Sequence, residues 1–100
     1  TTFNSKLAIE GVVAVSSDVT LTNRRVHFVD TSAARSLTLP APSASLYIVI
    51  KDSIGSCQTN NITLVRPGSE KIETVAASFT LNENLASWTI VSDGVDFFLI

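Results

Sequence analysis

The chain has 100 residues, 45% of them hydrophobic and 16% charged, with a formal net charge of −2. A chain this short is one domain at most, and its charge content falls well under the roughly 25% of an average globular protein, so much of its surface is neither core nor strongly solvated. Its seven Lys and Arg are scattered, with Arg24-Arg25 the only basic pair, which excludes the clustered positive charge of a nucleic-acid binder, and no apolar run reaches the roughly 18 residues of a membrane-spanning helix.

Apolar spacing favours a period of two over the helical period, and Thr, Ser, Val and Ile dominate, so the chain reads as strands throughout. Residues 1–24 read as an N-terminal strand arm, with strands predicted at 6–16, interrupted at Gly11, and at 18–22. There is no methionine, even at position 1, and the expectation is a piece of something longer. No basic stretch followed by an apolar one marks a signal peptide.

From residue 25 the strands come more regularly, at 25–30, 36–40 and 46–52. His27 alternates with Val26 and Phe28 on one of them. Asp30 and Ser32 lie nearby, but no nucleophile elbow surrounds them, so His27 is expected to be structural or at the surface. The stretch 39–45, Leu-Pro-Ala-Pro-Ser-Ala-Ser, reads as a loop, because Pro40 and Pro42 cannot donate to a sheet. Tyr47-Ile48-Val49-Ile50 is apolar on both faces and predicts a central strand or one buried between chains.

The single cysteine, Cys57, can form no internal disulfide, and no neighbouring His or Cys completes a zinc site. Strands follow at 61–66 and 71–75, joined by Arg66-Pro67-Gly68-Ser69-Glu70 as a hairpin in which Pro67 fixes φ and Gly68 supplies a left-handed residue. In the first of them Ile62 and Leu64 face one side, Thr63 and Val65 the other. Asn61-Ile62-Thr63 also matches a glycosylation sequon, which carries weight only in a secretory pathway.

The last strands are predicted at 78–82, 87–93 and 95–100, with Trp88, Ile90 and Ser92 sharing a face and Asp93-Gly94 forming a tight type I′ hairpin turn. Phe97 and Phe98 point to opposite faces, so both sides of the final strand need cover, which points to oligomerisation. The aromatic set, Phe3, Phe28, Tyr47, Phe79, Trp88, Phe97 and Phe98, falls mostly within strands and suits core or interface packing. Asp52, Glu70, Glu73, Asp93 and Asp96 fall at turns or outward positions and are expected to be solvated, leaving no facing pair for glycoside hydrolysis. No calcium loop, phosphate cradle, metal site or cofactor site is legible, and the sequence shows no clear internal repeat.

Three short pieces in fixed order carry a resemblance: Lys51-Asp52 followed by Gly55, Asn60-Asn61-Ile62-Thr63, and Ser92-Asp93-Gly94. Together with Val26 to Ser32 and Ser36 to Ser43 they make residues 25–100 similar to a module of the tail fibres and spikes of bacterial viruses. The chain departs from that pattern at its end, where Phe97-Phe98-Leu99-Ile100 replaces the usual Trp or Tyr before the final pair. The resemblance implies a homotrimeric, non-enzymatic piece of a virion fibre exposed outside the host cell, with 1–24 connecting to an upstream shaft and 25–100 forming the head.

The resulting expectation is an all-β, small antiparallel β-sandwich or β-prism-like domain of short strands and hairpins, assembled as an intertwined homotrimer. Its function is expected to be structural, with a part in attachment to a host cell-surface receptor such as a glycan. Nucleic-acid binding and membrane insertion are not expected. The turns 52–61, 66–70 and 81–87 are the candidate contact surface, with Asn60, Arg66, Glu70, Asn82 and Asn84 as candidate ligand-binding residues. Such Ser- and Asn-rich loops offer hydrogen bonds but few anchors, so affinity would come from several copies acting together. The alternative is a free-standing carbohydrate-binding β-sandwich unrelated to virions.

Overall fold

The computed structural model describes residues 10–100. The start of the strand predicted over 6–16, like residues 1–9 of the predicted arm, lies outside the described residues. Within 10–100 the chain forms nine strands and no helix: β1 (Val12–Val15), β2 (Val19–Thr20), β3 (Val26–Val29), β4 (Arg35–Thr38), β5 (Tyr47–Asp52), β6 (Ile62–Val65), β7 (Phe79–Leu81), β8 (Ser87–Ser92) and β9 (Phe97–Leu99). The protein is all-β.

The strands make two sheets, a five-stranded one in the order β1-β3-β5-β8-β9 and a four-stranded one in the order β2-β4-β6-β7. The first six strands alternate between the sheets, so each successive pair, β1–β2, β3–β4 and β5–β6, completes one rung of a stack. Neighbouring rungs pair in parallel: β1 with β3 and β3 with β5 in one sheet, β2 with β4 and β4 with β6 in the other. Parallel neighbours need a long crossover. Here a strand of the opposite sheet is the crossover, and no helix is required. The chain then reverses, laying β7 antiparallel on β6, β8 on β5 and β9 on β8.

Both sheets are therefore of mixed orientation, which corrects the expectation of an antiparallel sandwich. Turn residues between β1 and β6 carry the chain across to the facing sheet; they do not fold it back on its neighbour, and local turn chemistry does not distinguish the two. The rungs are also a structural repeat. Val12, Val26 and Val49 stand in register, as do Val15, Val29 and Asp52, and Val19, Leu37 and Leu64. The described part of segment 1–24 supplies the first rung.

Alternation along the strands fills one core between the sheets. Val15, Val29, Ile48, Ile50, Ile90 and Phe97 enter from the five-stranded sheet, and Leu37, Ile62, Leu64 and Leu81 from the four-stranded one. As expected, β5 is central, Ile62 and Leu64 of β6 point inward, and Ile90 and Ser92 of β8 are buried. Burying a branched side chain of this size contributes about 1.5–3 kcal/mol, so the ten core residues named above dominate the stability of the fold.

Three local expectations are corrected. Residues 71–75 form no strand: Ile72 and Val75 exchange backbone hydrogen bonds of 2.9 and 3.0 Å around Glu73 and Thr74, whose φ values are 52° and 66°. That is a tight two-residue turn of type I′. The segment packs on β9, with the Phe97 N–H donating to the Lys71 carbonyl at 2.9 Å and the Glu73 N–H to the Phe97 carbonyl at 3.0 Å. Gly68 is not left-handed; that conformation falls on Gly11, Gly55 and Gly94. Finally, β8 and β9 are joined by the four residues Asp93 to Asp96, because Ser92 pairs with Phe97. The Asp93 carboxylate stiffens this loop by accepting from the Val95 and Asp96 N–H groups, both at 2.9 Å.

Candidate binding surface

Alternation between sheets sorts the connections onto two opposite flanks. One flank carries residues 16–18, 30–34, 53–61 and 82–86; the other carries 21–25, 39–46, 66–78 and 93–96. The first flank is organised by Asp52, the last residue of β5 and 0% exposed. Its Oδ1 accepts from the Thr31 hydroxyl at 2.7 Å, the Gly55 N–H at 2.9 Å and the Ile54 N–H at 3.1 Å. Its Oδ2 accepts from the Leu85 N–H at 3.0 Å and the Cys57 N–H at 3.1 Å.

Three connections thus meet on one carboxylate. The solvated charge expected of Asp52 is corrected: a strand-end carboxylate facing the core satisfies both oxygens with backbone and hydroxyl donors. Burial pushes its pKa up, but the N–H of Gly55, the Thr31 hydroxyl and the N–H groups of Leu85 and Ile54 together outweigh that, leaving it well below the usual carboxylate range. The sequence holds a signal for this, since an Asp followed two and three residues later by turn positions is suited to accept their N–H groups. Expecting acids at turns to be solvated hid it.

Around that centre the loops interlock. The Thr31 hydroxyl accepts from the Ser56 N–H at 3.1 Å, and the Asn60 amide donates to the Thr31 carbonyl at 2.9 Å. The Gln58 N–H donates to Asn84 Oδ1 at 2.7 Å, joining the 53–61 and 82–86 loops at the surface. The Lys51 ammonium donates to the Leu85 carbonyl. Cys57 is fully buried beneath, its thiol donating to the Leu81 carbonyl at 3.1 Å; burial pushes the thiol pKa up, which keeps it protonated and unreactive.

Asn60, Asn82 and Asn84 lie on or beside this flank, with Asn82 and Asn84 exposed and Asn60 half-buried in its bond to Thr31. Arg66 and Glu70 lie on the opposite flank. There the Arg66 guanidinium donates to the Glu70 carbonyl at 3.1 Å and the Glu70 carboxylate accepts from the Gly68 N–H at 2.8 Å, so both side chains hold their own loop. The five residues singled out from sequence therefore form two separate groups.

His27 is 1% exposed on the inner side of the five-stranded sheet, a structural position as expected. Its Nε2 accepts from the Thr22 N–H at 3.1 Å, which leaves Nδ1 protonated to donate to the Val49 carbonyl at 3.1 Å. Both nitrogens of the neutral ring are thereby used, and burial lowers the pKa against the upward pull of the Val49 and Arg25 backbone bonds. Among the described residues no group of three or more His, Cys, Asp and Glu side chains is placed to hold a metal ion.

The outward faces of the two sheets differ. On the five-stranded sheet one outward row reads Val12, Val26, Val49 and Thr89, and a second Tyr47, Val91 and Phe98. The first of these is the middle row, and a third, Ala14, Phe28, Lys51 and Ser87, runs on its other side, next to the flank built around Asp52. Val12 is 60% exposed, Phe28 44% and Tyr47 38%. On the four-stranded sheet the outward positions are Thr20, Thr38 and Val65 in one row and Ser36, Thr63 and Thr80 in another.

No protein-family model matches the chain, and no curated protein is matched by it.

Proposed function

We propose that this domain is a structural module of a viral fibre or spike, non-enzymatic, homotrimeric and carried on the virion, where it takes part in attachment to the host cell surface. One observation carries the structural half of this reading: the domain is a stack of rungs whose two ends differ. At one end β7, β8 and β9 reverse the direction of pairing, and the Lys71 to Val75 segment covers the edge of β9. At the other end, among the described residues, no strand pairs with the outer edges of β1 and β2. Stacked rungs contact only their neighbours and need a distinct closing unit. A rod terminated by such a unit fits the fibre pattern that residues 25–100 resemble.

The attachment half rests on the flank built around Asp52. Gln58 and Asn84 present amide groups from two loops held in fixed relation, a rigid polar surface suited to the hydroxyls of a glycan. The test is light scattering of the purified domain followed by a glycan array. Three chains per particle are expected, with array signals that fall when Gln58→Ala and Asn84→Ala are combined. A single chain per particle with strong glycan binding would overturn the fibre reading in favour of a free-standing carbohydrate-binding module.

A further inference from the structure

We infer that His27 is an acid-released latch on the connection 21–25: a second proton on its ring frees residues 22–24 from β5 while the two sheets stay paired. The latch is independent of the fibre reading and of what either flank binds.

Its basis is hydrogen-bond geometry. His27 faces the core and is buried, with one ring nitrogen accepting from the Thr22 N–H and the other donating to the Val49 carbonyl, both at 3.1 Å. Protonation turns the accepting nitrogen into a donor. An N–H then points at an N–H, and the buried charge has no acceptor on that side. The charged residues around the ring do not rescue it. Arg24 and Arg25 lie in the connection itself, and the Arg25 charge opposes a further proton. On one side β1 carries no ionisable side chain, and Glu10 before it is exposed. On the other, Lys51 of β5 lies in an outward row, and Asp52 pairs with Val29 and already accepts from five donors. Across the core the buried residues Leu21, Leu37 and Leu39 are uncharged, while Asp18, Asp30 and Arg35 sit at the opposite flank.

A charged His27 must therefore reach water, and two routes differ in what they break. The connection beside the ring is already close to solvent, with Thr22 exposed and Asn23, Arg24 and Arg25 half-buried. Once the Thr22 bond is gone, three backbone bonds still hold residues 22–24. The Tyr47 N–H donates to Asn23 Oδ1 at 2.9 Å, the Arg24 N–H to the Tyr47 carbonyl at 2.9 Å and the Glu10 N–H to the Arg24 carbonyl at 2.6 Å. Each such bond shifts an equilibrium by about 2- to 12-fold, so the three hold the connection by roughly 10- to 2,000-fold. Unfolding a small domain works against about 10³- to 10⁸-fold. Release is the easier route. It is also bounded, because the Leu21 N–H stays on the Thr38 carbonyl and the Arg25 carbonyl stays on the Val49 N–H.

The test is a two-dimensional NMR titration of the full chain from pH 7.5 to 4. His27 is the single histidine, so its ring signals identify themselves. The ring is expected to titrate below the ordinary value of about 6.5. At the same midpoint, protection of the Thr22, Arg24 and Tyr47 amides from hydrogen exchange should fall at least tenfold, after correction for the intrinsic pH dependence of exchange. Ile50 and Leu64, in the middle of the two sheets, should keep theirs. Asn23→Ala removes one of the remaining bonds and should move the midpoint up by roughly half to one pH unit. His27→Gln has no second proton to take and should abolish the step. Ring titration without change at Thr22, Arg24 and Tyr47 would overturn the latch. So would equal loss of protection at Ile50 and Leu64, or a ring that does not titrate before the whole domain unfolds in acid. If neither variant folds, the titration of the parent decides.

Discussion

The two outward faces of the sandwich share strand geometry and burial alternation and differ in chemistry. The four-stranded sheet shows solvent mainly hydroxyls: Thr20, Ser36, Thr38, Thr63 and Thr80. Threonine keeps the β-branch that suits a pleated strand while hydrogen-bonding water, so this face is both strand-forming and soluble. The five-stranded sheet places mainly Val, Phe and Tyr at its outward positions, with Ala14, Lys51, Ser87 and Thr89 among them. Secondary structure alone is satisfied by either set, so strand formation does not account for the difference.

The largest expected effect removes the frame that holds both faces. Asp52→Ala strands five donors from three connections. We expect a loss of about 3–5 kcal/mol in denaturant unfolding, the range for removing one partner from a buried charged network. A loss under about 1 kcal/mol would mean that water replaces the carboxylate freely. The same group sets an acid limit. Its folded pKa is depressed, so its contribution is complete above the ordinary aspartate value of about 3.9 and is lost as pH falls through the folded pKa below it.

Next in size is His27, which lies on the core side of the five-stranded sheet and ties β5 to the chain before β3. His27→Leu preserves bulk but leaves the Thr22 N–H and the Val49 carbonyl without their ring partners, and about 1–2 kcal/mol should be lost. The pH dependence has a definite sign. Because the folded pKa is lowered, stability is complete above the ordinary histidine value of about 6.5 and is lost as pH falls through the folded pKa. Unfolding free energy measured against pH should therefore drop in two stages, the first absent in His27→Leu and the second in Asp52→Asn. A single stage would remove His27 from the account.

How much of this was legible depended on whether the information was local. Alternation in β6 and β8, the central place of Tyr47–Asp52 and the structural role of His27 follow from which residues neighbour which along one strand. Parallel stacking does not, because Val12, Val26 and Val49 come into register only after whole circuits through the other sheet, and a bare valine is a weak repeat signature. The grouping of the candidate residues was not legible for the same reason. Flank alternates with each strand, so Asn60 and Asn84 come together while Arg66, only six positions beyond Asn60, goes to the opposite side.

A smaller effect, of opposite sign, tests whether mass and stability can be separated. Glu73 and Thr74 both adopt positive φ in the turn that covers β9, and a left-handed β-branched residue is strained by about 1–2 kcal/mol. Thr74→Gly relieves that strain at the cost of greater freedom in the unfolded chain. We expect a gain of about 1 kcal/mol with the solution mass unchanged, since the turn belongs to neither face. If the mass changed as well, the covered edge of β9 would be part of the interface.

The smallest expected change in fold stability gives the sharpest version of the comparison. Changing Ser36, Thr38 and Thr63 together to valine gives the four-stranded sheet the outward chemistry of the other. Each position is solvent-facing or half-buried, and substitutions of this kind away from special features stay within about 0.5 kcal/mol. The same change should have a large effect on association, because a second uncharged apolar face would then be open to partners. We expect sedimentation to show species larger than the unsubstituted chain gives, growing with concentration. If the apolar face of the five-stranded sheet were inert, giving the opposite sheet the same chemistry should change neither mass nor solubility.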